Sequence, residues 1–115
     1  MRAHRLALFV VLAACGTQAR FLPLNPPPHR LTPRAPETVE FHASGPPSRP
    51  FVDIGVIETL QESGATPLED VLARLRVEAG RLGCDGVVFL GGNDQVVGVD
   101  SVSTLRGYRA SCIVY

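Results

Sequence analysis

The sequence predicts an α+β domain: a small sheet, mainly antiparallel or mixed, with one amphipathic helix packed across one face in the order strand, strand, helix, strand, strand. Three observations predict it. Thr66 to Leu82 is a capped stretch with helical periodicity. Gly83 breaks it, and the β-prone run Val87-Val88-Phe89-Leu90 follows at once. Tyr108 to Tyr115 then alternates with Tyr108, Ala110, Cys112 and Val114 on one side, as a half-buried strand does.

In chain order, the first part to account for is not domain at all. Met1 to Arg5 carries two arginines and a histidine, and Leu6 to Ala14 is a short apolar run. Together they have the make-up of a secretory signal, and the run falls short of the roughly 20 residues a bilayer span needs. Leu12-Ala13-Ala14-Cys15 closes the run and is similar to the lipobox of bacterial lipoproteins. That resemblance implies cleavage after residue 14 and a lipid on Cys15. Gly16 follows where an inner-membrane retention aspartate would stand in enteric bacteria, so the outer membrane is the expected address. Residues 15–36 then hold Pro23, Pro26, Pro27, Pro28, Pro33 and Pro36 with no apolar periodicity. They are expected to form an extended tether that holds the domain up to roughly 65 Å from the lipid.

The domain is expected at 37–115. Thr38 to His42 alternates as a short first strand, ending in Ala-Ser-Gly-Pro-Pro. Val52, Ile54, Val56 and Leu60 form the apolar side of a second strand, which also places Glu58 on that side, at the strand's end and reaching solvent. Thr66-Pro67-x-Glu69 has the form of a capping box. Leu68, Val71, Leu72, Leu75, Ala79 and Leu82 make one stripe of the helix, and Asp70, Arg74, Glu78 and Arg81 make an alternating-sign ladder opposite. Gly91-Gly92-Asn93-Asp94 is turn chemistry, and the structure of Gln95 to Gly107 is left open between strand and loop.

Leu75-x-x-x-Ala79-x-x-Leu82-Gly83-Cys84-Asp85-Gly86-Val87-Val88, with Ile54-Gly55-Val56-Ile57 and Ala110-Ser111-Cys112-Ile113-Val114, resembles the small YbjQ-like domains and the related domain of the Rcs envelope-stress sensor lipoproteins. The likeness covers about Phe51 to Tyr115, and the order of lipobox, proline-rich segment and cysteine-bearing domain agrees with it. Those sensors have four domain cysteines in two disulfides. Only Cys84 and Cys112 are present here, so signalling through disulfide-dependent assembly is not implied.

Few residues offer chemistry. Eleven basic residues, all arginine, balance eleven acidic ones, and loss of Arg2 and Arg5 with the signal leaves a mild acidic excess. That balance gives no basis for binding nucleic acid. With Cys15 lipidated, Cys84 and Cys112 are an even pair in an oxidising compartment, and a disulfide between them is the natural arrangement. Two buried free thiols are the alternative, and a metal site with His42 as third ligand is another, although no C-x-x-C spacing or fourth ligand supports it. Ser101 and Ser103 lie in no G-x-S-x-G elbow, and Gly91-Gly92 has no lysine for a phosphate loop, so no catalytic residue, cofactor or small-molecule substrate is assigned. The expected function is a lipid-anchored periplasmic binding, sensor or structural-interaction module, with the membrane and an envelope protein as partners. A metal-binding module is the alternative, and a hydrolytic enzyme comes third.

Overall fold

Strand Ser103–Val114, the last in the chain, occupies the middle of a five-stranded sheet. The computed structural model describes residues 18–62, 67–97 and 103–115. In chain order they form β1 (Gln18–Pro23), a 3-10 turn at Pro36–Thr38, β2 (Glu40–His42), β3 (Val52–Glu62), α1 (Leu68–Leu82), β4 (Gly86–Val97) and β5 (Ser103–Val114). The sheet order is β1-β3-β5-β4-β2, with β2 parallel to β4 and every other pair antiparallel. This is the α+β arrangement that the sequence predicts, a mixed sheet with one helix, plus one strand the sequence reading did not place.

That strand, β1, lies within the segment expected to be a tether. Gln18 to Pro23 pairs with Leu60 to Gly55 along β3. The chain beyond it stays attached: the Leu24 amide donates to the Ile54 carbonyl and the Arg34 amide to the Gly80 carbonyl. The expected boundary at 37 is therefore corrected to the start of β1, and residues 24–36 form a strap across the helix end. Three glycines make the close approach possible. A Cβ on Gly55 would meet the Leu22 carbonyl and the Phe21 ring, one on Gly80 the Arg34 carbonyl, and one on Gly83 the Thr32 carbonyl and Leu31. Proline at 26–28 does not prevent this, because the strap needs no ladder of its own; it borrows single carbonyls from β3 and α1.

The helix starts one residue later than the capping box implies. Pro67 stands at its N-terminal cap without a side-chain hydrogen bond, and Thr66 lies outside the described residues. Its end follows expectation. Gly83 is left-handed (φ 83°), its amide donates to Gly80 and the Cys84 amide to Ala79, the two bonds of a Schellman motif. Val71, Leu75 and Ala79 are fully buried, while Leu68, expected on the same stripe, is exposed in the first turn. Glu78 pairs with Arg74 and Arg81 on the outer face.

Two bulges change which side chains face the core. One between Asp53 and Gly55 inverts the alternation of β3, so Ile57 rather than Val56 joins the cluster under the helix and Glu58 points to the opposite face. The other lies between Phe89 and Gly91, where Gly91 takes φ 93°. Gly91-Gly92-Asn93-Asp94 is thus not a turn: β4 continues to Val97, and Gly92 lies so close to the Tyr108 ring that a Cβ would come within 2.7 Å of it. The core gathers Val39, Ile54, Ile57, Leu75, Ala79, Val87, Ala110 and Val114 around Cys84 and Cys112, with Phe21 and Leu31 packed against it.

Candidate functional site

The residues singled out for chemistry fall in different places. Cys15 and the signal lie outside the described residues. Cys84 and Cys112 form a disulfide with Cα atoms 5.6 Å apart, both fully buried. Its position follows from local structure: Cys84 is the first residue after the helix terminator, and Cys112 lies beside Val87 on the core side of β5. Bonded to each other, these sulfurs cannot act as thiolate ligands. His42 sits apart, with Nε2 3.0 Å from a Glu40 carboxylate oxygen. Among the described residues no cluster of three His, Cys, Asp or Glu side chains is placed to hold a metal ion.

Two polar constellations were not apparent in the sequence. The first centres on Asp85, in the turn from α1 to β4. One carboxylate oxygen accepts from Arg34 Nη1 (2.7 Å) and the other from the Tyr115 amide (2.8 Å), while the Asp85 carbonyl takes the Glu40 amide. Strap, helix end, β2 and the residue after β5 thus meet at one residue. Arg34 also donates to the Thr38 carbonyl and hydroxyl. Beside it the Tyr115 hydroxyl donates to Glu40, under an Arg49 guanidinium 3.5 Å from the Tyr115 ring centre. The Tyr115 bond and then His42 hold the Glu40 carboxyl below its ordinary value, and the same bond pushes the Tyr115 phenol up.

The second constellation lies on the face away from the helix, at the start of β1. Glu58 accepts from Arg20 Nε (2.7 Å) and pairs with Arg109 Nε (3.0 Å). Two arginines share one carboxylate, and their side chains are 72% and 51% exposed. They border a groove of ≈ 370 Å³ whose lining includes Gln18, Leu60 and Tyr108. Residues 20, 58 and 109 are far apart in sequence, and the bulge that turns Glu58 outward has no local signature, so sequence reading could not join them.

Two apolar grooves also lie among the described residues. One of ≈ 500 Å³ runs between α1 and the β2 edge, with Phe41, Leu72, Ala73, Arg76 and Val77, and the Arg76 guanidinium lies 5.4 Å from the Phe41 ring centre. Another of ≈ 340 Å³ lies under the strap, between Phe21, Leu31, Ile54 and Leu82.

No protein-family model matches the chain, and no curated protein matches it significantly. Among solved structures, the Francisella virulence factor FvfA in an orthorhombic crystal form is similar over 81% of this chain and 96% of its own, with a TM-score of 0.49 and 19% identity. A likeness of that degree carries no functional argument.

Proposed function

We propose that this chain is a cell-envelope lipoprotein, anchored through a lipid on Cys15 in the outer membrane and facing the periplasm, where its domain acts as a binding, sensor or structural-interaction module. The observation that carries the reading is the lipobox cysteine at the end of the apolar run. A buried disulfide in the domain supports export, since such bonds persist in oxidising compartments. The resemblance to YbjQ-like and envelope-sensor domains points the same way. The apolar groove beside α1, with Val77 42% exposed at its border, supports a protein partner in the envelope. No catalytic role is proposed for any side chain.

The test is metabolic labelling with a fatty acid in cells producing the full chain. Label should enter the wild-type protein and be absent from Cys15→Ser, which should accumulate as unprocessed precursor. A wild-type chain recovered as an unlabelled, freely soluble periplasmic protein would reject the anchor.

A further inference from the structure

The distance from the anchor residue to the fold is set by three Cα–Cα steps, from Cys15 to Gln18, where β1 begins. At full extension these cover about 11 Å. That is far less than the roughly 65 Å a free tether of residues 16–36 would allow. Residues 24–36 cannot lengthen the leash, because they follow β1 and are bound to β3 and α1. A lipid on Cys15 therefore brings the Gln18 end of the sheet to the bilayer surface.

What stands at that end is the arginine-bordered groove. Gln18 pairs with Leu60, and Leu60 with Gly107, so Arg20, Glu58 and Arg109 all lie within two residues of that row. The β4–β5 ladder continues past it from Gly107 to Ser103, about 13 Å of strand, comparable to the leash itself. The sheet cannot stand clear of the headgroups. Two exposed guanidiniums against one carboxylate leave a surplus of positive charge. Guanidinium geometry suits phosphate oxygens, and phospholipid headgroups present them.

We infer that the end of the sheet bearing Arg20, Glu58 and Arg109 is seated on the bilayer that holds the anchor, with the two guanidiniums contacting the phosphate groups of its phospholipids. The inference rests on the anchor reading proposed above. It also sets the opposite end of the sheet, with Glu40, Asp85 and Tyr115, toward the periplasm.

The chain's two tyrosines provide the measurement. Tyr108 stands beside Arg109 in the row at the anchored end, its ring stacked on Phe89 on the helix side, and Tyr115, just past the other end of β5, lies seven residues on, about 23 Å away. Full-length lipidated protein is reconstituted into phosphatidylethanolamine–phosphatidylglycerol vesicles carrying a nitroxide on the headgroup, and tyrosine emission is followed in Tyr115→Phe and Tyr108→Phe to isolate each ring. Tyr108 should be quenched more strongly than Tyr115. Replacing Arg20 and Arg109 by Gln should shift the domain from this seating toward tilted orientations by about fivefold for each arginine and narrow that difference. Glu58→Gln, which leaves both arginines unneutralised, should widen it. Equal quenching of the two rings, or stronger quenching of Tyr115, in protein whose mass shows the acyl group overturns the seating and leaves the anchor intact. Absence of the acyl group from the protein overturns both.

Discussion

Asp85 concentrates more of the fold's polar bonding than any residue whose role could be read from its neighbours in sequence. Its two carboxylate oxygens take different parts of the chain, Arg34 from the strap and the Tyr115 amide from the end of β5. Both partners are partly shielded from water, with the Arg34 and Asp85 side chains 34% and 28% exposed. Bonds to a charged acceptor in such a setting contribute more than exposed ion pairs do. Asp85→Ala should destabilise the domain by about 2 kcal/mol in urea unfolding. The double variant with Arg34→Ala should lose less than the sum of the two single losses, because both remove the same bond. In the sequence Asp85 is visible only as a letter of a Gly-Cys-Asp-Gly turn, with Arg34 51 positions away. The turn itself was legible, since Gly83 and the periodicity before it specify where a helix must end.

At the scale of elements, α1, β3 and the second half of β5 were legible because each carries its own period and its own terminators. β1 was not, because four of the chain's prolines lie within or just after it and proline content dominates the composition there. Phe21 between Ala19 and Pro23, and Leu31 within the strap, are the residual apolar signals, and both pack on the core. Gly80 is the better clue. A glycine in the body of a helix costs about 1 kcal/mol relative to alanine, and here the Arg34 carbonyl occupies the space its side chain would need. Gly80→Ala should therefore lower the melting temperature, where intrinsic propensity alone would raise it, and should speed hydrogen exchange at the Arg34 amide. A chain that begins at Glu37 loses β1 and the buried surface of Phe21 and Leu31. It should be less stable than the chain that begins at Gly16 by at least about 3 kcal/mol in denaturant unfolding. Equal stability would mean that the strap merely rests on the helix.

For the whole molecule the disulfide is the main covalent restraint, because it ties the helix end to the central strand across 28 residues. Loop closure of that length stabilises by about 3 to 4 kcal/mol in the chain-entropy model. For a domain of this size the corresponding loss on Cys84→Ala with Cys112→Ala is a fall of roughly 15–25 °C in melting temperature, measured by circular dichroism. The sheet order has a consequence in time as well as in space. β1 can pair with β3, and β2 with β4, but these two ribbons are joined in the sheet through β5, which follows both in the chain. A nascent chain that has emerged as far as Val97 holds the other described elements, with helix and strap packing but no ladder between the two ribbons. The ladder that joins the two half-sheets forms when Ser103 to Val114 arrive. Completion of the sheet thus waits on β5, and a chain cut short before it leaves the inner edges of β3 and β4 bare, open to proteases and to one another.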